Sequence, residues 1–175
     1  MEWRDLVLDA YSRVMEALDE ALNGLDRDDL DRLPGPESNS MGWLAWHLSR
    51  IQDAEIASLM GEDQLWTSDG WHARFNRPLD PEDTGTGHTP EQVSAFRSPG
   101  IEALLDYHRA VLDRSRSYIA SLSTSDLRRE LDEPWYHPRP TVGVRVISVA
   151  SDCLQHVGQV AYARGLLKGR GWLPY

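Results

Sequence analysis

Cysteine is almost absent from this chain. Cys153 stands alone, which excludes an internal disulfide and fits a reducing compartment. Cations are scarce as well: 18 Lys and Arg face 28 Asp and Glu, for a formal net charge of -10. That balance argues against sequence-independent nucleic-acid binding, which relies on Lys and Arg neutralising phosphates, and against a polybasic membrane patch. Long apolar runs are missing too, since nothing approaches the roughly 20 residues that span a bilayer. The opening MEWRDLVLDAYSRV is acidic and amphipathic, unlike a basic segment leading into an apolar one, so it is not read as a signal peptide. These absences leave a cytoplasmic globular protein with no membrane or nucleic-acid partner as the expectation. Phenylalanine is rare, at two residues, but seven Trp are present. Large amphipathic rings serve both core packing and the walls of small-molecule clefts.

The 175 residues suit one domain, 1–175. Val7, Tyr11, Val14, Leu18 and Leu22 recur at helical spacing, which predicts an amphipathic helix from about Trp3 to Leu22, stopped by Asn23-Gly24. Pro34-Gly35-Pro36 marks a loop. A second helix is expected after Ser38 or Ser40 as N-cap, running through MGWLAWHLSRIQDAEIASLM to Gly61, with Leu44, His47, Leu48, Ile51 and Glu55 on one broad face. The connection from Glu62 to Pro90 is long and rich in Gly, Pro, Asp and Thr, yet carries Trp66, Trp71, His72, Phe75 and His88. Loops of that length inside a domain are uncommon and often functional. Thr89-Pro90 and Ser98-Pro99 each read as a helix start, the first short and the second opening a third long helix striped by Ile101, Leu104, Leu105, His108, Leu112, Ile119 and Leu122. Ser125 is expected to cap a short turn, and DEPWYHPRPT to be irregular because prolines interrupt it. The last helix is predicted from about Val142 to Lys168. No strand alternation and no fixed-period repeat is found. The pattern predicts an all-α four-helix bundle with a long connection between the second and third long helices.

Within the last helix, SDCLQHVGQVAYARG places Asp152 and His156 four apart, so they sit about 40° apart on one face and can converge on one point. His47, on the flank of the second helix's apolar stripe, can face them across an antiparallel bundle. Two imidazoles and a carboxylate form a set that binds first-row metals and leaves positions open. Spacing alone equally describes an ion-paired Asp beside an ordinary helix His, and is a weaker signal than H-E-x-x-H. Cys153 reads either as a nucleophile or, more commonly, as a small buried hydrophobe. Gln159 reads as a partner of a ligand or as a helix–helix contact. His108 reads as a residue orienting a ligand or as a core histidine. His72 and His88 are placed to cover the site, and His88 also simply precedes the cap Thr89. His137 is expected near the mouth, with Arg139 or Arg145 meeting an anionic substrate. Tyr162 is read as packing and Arg164 as surface.

SNSMGWLAWHLSRIQDAE, followed near the C-terminus by DCLQHVGQVAYARG, resembles the DinB-like superfamily. The pattern is most similar to its mycothiol-dependent branch, which includes the N-terminal domain of maleylpyruvate isomerase. DGWHARF and DTGTGHTPEQV resemble members of that branch too, so the likeness spans about residues 5 to 168. The resemblance implies a four-helix bundle holding one divalent ion, Zn, Ni, Fe or Mn, through His47, Asp152 and His156. HVGQ fits the motif directly at His156, whereas many relatives carry His where Asp152 stands. A carboxylate there lowers the charge of the centre and shifts preference towards harder ions. The implied activity is S-transfer or isomerisation, in which the ion ionises a low-molecular-weight thiol such as mycothiol and the thiolate attacks a small electrophile, with a nearby histidine as base. The resemblance also implies homodimers paired through helix faces. Two other functions use the same residues: a hydrolase that activates water, and a non-catalytic metal- or ligand-binding bundle.

Overall fold

The computed structural model describes residues 2–169. Four long helices make the frame: α1 (Trp3–Leu22), and, after the short α2 (Arg27–Asp31), α3 (Met41–Met60); then, beyond the single-turn α4 (Leu65–Ser68) and α5 (Trp71–Arg74) and the short α6 (Pro90–Ala95), α7 (Ile101–Ser121) and finally α8 (Val142–Lys168). Both α1 and α3 pack against α7 and α8, which produces a four-cornered bundle around one core. No strand occurs among the described residues; Glu130 and Thr141 form an isolated bridge that closes the proline-rich segment before α8. Among the described residues no helix is long and apolar enough to cross a membrane.

The helix ends follow local chemistry. Ser40 Oγ accepts from the Trp43 amide at 3.2 Å and starts α3, which settles the choice between Ser38 and Ser40. Gly61, in the left-handed conformation, stops it. The expected start of α7 is corrected. Ser98 is not its cap: the Ser98 amide donates to Asp31 at 2.7 Å, and Gly100, at φ +117°, opens the helix two residues later. Ser125 stands at the N-cap of the turn after α7, as expected, but makes no side-chain cap bond; Ser123 Oγ accepts from the Asp126 amide instead, at 3.2 Å. Two further assignments reverse. Tyr162 is exposed, whereas Arg164 lays its guanidinium over the end of α1, donating to the carbonyls of Ala21 and Asn23 at 2.7 Å each. The carbonyls at a helix end lack intrahelical partners, so this cation satisfies them.

α3 is the centre of the molecule. Residues 41 to 50 are buried on every side, because α7, α8, α2 and the long connection all cover them. The connection folds down as α4 and α5, whose Trp66 and Trp71, with Phe75, ring the buried Tyr107 at centroid distances of 5.2 to 5.6 Å. Its fastening is polar. Arg50, fully buried, donates to the carbonyls of Pro81 (2.9 Å) and Asp83 (3.1 Å) and stacks over Trp66. Asp53, one turn on, accepts from the amides of Leu65 and Trp66 and from the Tyr107 hydroxyl, at 2.8 to 3.0 Å, and lies 3.6 Å from Arg50. Removing one member of such a buried pair strands the other charge. Asp53→Ala is therefore expected to cost about 3–5 kcal/mol in urea unfolding, and a loss under about 1 kcal/mol would show that the pair does not hold the connection.

His108 lies in the core between α7 and α3, bonded through Nδ1 to Ser49 Oγ at 3.1 Å, as a core histidine with one side-chain partner. Burial pushes it down to about 4 from the ordinary 6.5. Between those values the unfolded chain binds a proton that the folded chain refuses. The stability His108 confers is complete above pH 6.5 and is lost as the pH falls towards 4, by at most about 3 kcal/mol. His108→Gln is expected to flatten the fall of the urea midpoint between pH 7 and pH 4 relative to wild type; parallel curves would refute the assignment.

Candidate metal centre

α3 and α8 lie side by side, and their facing surfaces bring His47, Asp152 and His156 together. One donor atom from each lies within 4.8 Å of the others. His156 Nε2 is 3.5 Å from Asp152 Oδ1, close to the ~3.4 Å edge expected of a tetrahedron with bonds near 2.1 Å. The two rings stand nearly perpendicular, with centroids 4.7 Å apart. The i, i+4 spacing on α8 aligns Asp152 with His156, and burial of the first half of α3 fixes His47 opposite them.

Both imidazoles are oriented from behind. The Thr84 carbonyl lies 2.6 Å from His47 Nδ1. A carbonyl only accepts, so Nδ1 carries the proton and Nε2 keeps its lone pair. Gln159 Oε1 does the same for His156 Nδ1 at 2.8 Å, which assigns Gln159 the ligand-partner role among its two readings. Trp43 stacks on the His47 ring at 4.7 Å and 15°. Gly85 makes the approach of the connection feasible: at φ +90°, a Cβ there would sit 2.9 Å from Trp43 and Trp46 and 3.0 Å from His47 Nδ1. Only glycine allows Thr84 to reach the imidazole.

Charge is distributed unevenly. Burial, outweighing the Thr84 contact, holds His47 below the ordinary imidazole value, so its nitrogen is free to donate to a cation. The Asp152 carboxylate, aided by Gln159, outweighs burial and raises His156. Asp152 Oδ2 is buried and has no hydrogen-bond partner. An unsatisfied carboxylate oxygen beside two oriented imidazoles is costly unless something positive meets it, so the donor set fits a divalent cation.

The other residues singled out in the sequence fall elsewhere. Cys153 points into the core, its thiol near the Leu48 carbonyl and Gln52 Oε1, and burial raises its pKa far above the thiolate range, so it is the small buried hydrophobe and not a nucleophile. His88 holds the connection, accepting from Trp43 Nε1 at 3.2 Å and meeting Asp83 at 3.0 Å, and lines the small hollow over His47. His72 sits with Trp66 and the Arg77 carbonyl. His137 is exposed, while its neighbours Tyr136 and Pro138 line the cavity beside Asp152. Arg145 lines that cavity but is held by Glu55 and by both oxygens of Glu133. The sequence reading passes over Thr84, Gly85, Arg50 and Asp53. For the last two a signal exists, charges three apart inside an otherwise apolar helix face.

Four long helices, two of which turn a pair of oriented imidazoles and a carboxylate to one point, define an all-α bundle with a candidate metal centre between α3 and α8. The chain belongs to the DinB superfamily, which matches residues 10–160, and members of that superfamily are often metal-binding. The fold is similar to the crystal structure of a conserved protein from Enterococcus faecalis, with a TM-score of 0.89 and 29% sequence identity over 97% of this chain and 99% of that one. No curated protein matches the chain.

Partners that orient metal-binding histidines are worth about 10–100-fold in affinity. Gln159→Leu is expected to weaken Co²⁺ binding by that factor in competition with a chelating dye, with helix content unchanged. Unaltered affinity would show that the contact to His156 does no orienting.

Proposed function

We propose that this chain is a divalent-metal-dependent enzyme that ionises a low-molecular-weight thiol of the mycothiol type and passes its sulfur to a small electrophile, in S-transfer or isomerisation. The observation that carries the reading is the convergence of His47, Asp152 and His156, with both Nδ1 atoms engaged and Asp152 Oδ2 left without a partner. A bound divalent cation lowers the pKa of a coordinating thiol and yields thiolate at neutral pH. His47 and His156 would hold it through neutral Nε2 atoms, and Asp152 through a carboxylate oxygen, which makes the centre less positive than a three-histidine one. Three protein donors leave room for an incoming ligand.

The surroundings suit that chemistry. Trp43 and the Thr84–His88 stretch wall one side of His47, around a small hollow that reaches Asp152. On the other side a cavity of about 560 Å³ opens beside Asp152. The thiol gives up its proton to solvent water, and its sulfur lone pair forms the new S–C bond. In transfer the leaving group departs with its electron pair; in isomerisation the S–C bond later breaks, its electron pair stays on sulfur, and the thiolate takes a proton back from water.

Protein purified without chelators is expected to carry stoichiometric divalent metal. His47→Ala and His156→Ala should lose it, and Asp152→His should keep it. With mycothiol and monobromobimane, conjugate measured by mass spectrometry should form faster than the uncatalysed reaction, by a margin that follows metal content. Absence of metal together with silent substitutions would sink the centre, and bound metal with no rate above the uncatalysed one would redirect the reading to water as the nucleophile.

A further inference from the structure

The outer side of α8 carries no charge. Ten residues between Val144 and Leu166 are exposed, and none is Asp, Glu, Lys or Arg. On α1, by contrast, six of the seven exposed residues are charged, as are four of the seven on α7. Five large apolar side chains stand on the α8 stripe: Val144, Ile147, Leu154, Tyr162 and Leu166, each between 43% and 72% exposed. Together they present on the order of 500 Å² of apolar surface, at the upper end of what a monomer leaves open. The charged residues of this stretch are turned aside. Arg145 is held by Glu55 and Glu133, Arg164 by the end of α1, and Asp152 and His156 face the metal centre. A divalent cation on Asp152 lowers that residue's charge, so the stripe stays uncharged with or without metal.

The stripe reads the same in both directions. Ile147, Ser151, Gly158 and Tyr162 are spaced four, seven and four apart, in the order large, small, small, large, about a midpoint between Leu154 and Gln155. At 3.6 residues per turn all four fall within about 60° of one another on the helix. An antiparallel second α8, related by a two-fold axis at that midpoint, sets Ser151 against Gly158 and Ile147 against Tyr162, twice over. Small residues at the crossing let the helices approach, and a Cβ added at Gly158 meets nothing within 4 Å in a single copy. Antiparallel pairing also opposes the two helix dipoles. Each copy has a formal net charge of -10, so contact through a charge-free face limits their mutual repulsion. Two such faces remove about 1,000 Å² of apolar surface from water, together with their polar edges, which is the size at which specific interfaces begin.

We propose that α8 pairs with α8 of a second copy of this chain in this antiparallel register, making a two-fold dimer. The resemblance to relatives implied pairing through some helix face; the surface chemistry picks out α8, independently of the metal reading. Val144 and Ser148, at one end of the stripe, line the cavity beside Asp152. Tyr162 of the second copy falls next to them in this register, so each copy walls part of the other's cavity.

Sedimentation velocity of the full chain tests the pairing. At about 20 µM the protein is expected to run as a species of twice 19.9 kDa. Ile147→Glu and Tyr162→Glu, each at an exposed position, should each give the monomer with the helical circular-dichroism signal retained. The register has its own test. Ser151→Cys, mixed and exchanged with Gly158→Cys, should cross-link on mild oxidation. Ser151→Cys alone should not, because it lies about 10 Å along the axis from its own counterpart. Cys153 is buried and does not compete. Ser148→Cys labelled with acrylodan should emit further to the red when Tyr162→Glu is added, although the two positions lie about 21 Å apart on one helix. A wild-type monomer at that concentration, a dimer untouched by both glutamates, or ready cross-linking of Ser151→Cys to itself would overturn the proposal. An unmoved acrylodan spectrum would refute the shared cavity wall.

Discussion

The structure depends on a guanidinium buried beneath the long connection. Arg50 has no solvent to hydrate it, so the chain surrounds it with the carbonyls of Pro81 and Asp83, the Tyr107 hydroxyl, the Trp66 ring and the Asp53 carboxylate. Three of these stretches, around Trp66, around Pro81–Asp83 and at Tyr107, are thereby drawn towards α3. The same carboxylate gathers the amides that start α4. A loop of this length would otherwise be an entropic burden on the fold. Fastened at residues 81 and 83, it delivers the Thr84 carbonyl to His47, so the packing of the core and the aim of one imidazole are parts of the same arrangement.

The candidate centre shows how environment separates chemically identical groups. His47 and His156 are both imidazoles with Nδ1 bonded to an oxygen, yet one is held low by burial and the other high by a neighbouring carboxylate. Asp152 is the asymmetric member. It faces His156 with one oxygen and leaves the other buried and without a hydrogen-bond partner. The cavity next to it pairs its inner cation, Arg145, with two carboxylates and takes most of its remaining wall from apolar side chains.

Much of the frame was legible in the sequence. The apolar stripe and caps placed α1 and α8 between the residues observed, and four-residue spacing drew attention to Asp152 and His156. The errors share a cause. Ser98 and Ser125 are good caps by type, but Gly100's left-handed backbone and Ser123's closer hydroxyl took the role. The acid-rich stretch after Leu25 concealed a helix of one turn, Arg27–Asp31, started by Asp26 and Asp29 in a reciprocal cap. Arg164 and Tyr162 were exchanged because hydropathy says nothing about the bare carbonyls at the far end of α1. Thr84 acts through its backbone, which every residue possesses, so no side-chain pattern could have flagged it; only the glycine beside it hints that something must come close.

The clasp of Arg164 over the end of α1 ties the last helix to the first. Lys168 adds a second tie to Asp29, at 2.9 to 3.0 Å. Contacts so distant along the chain form late, because loop closure must precede them. During synthesis α1, α3 and the fastened connection emerge before Asp152 and His156. The donor group is thus assembled only when the bundle closes. A nascent chain that has reached only α3 presents His47 without the two residues that later face it.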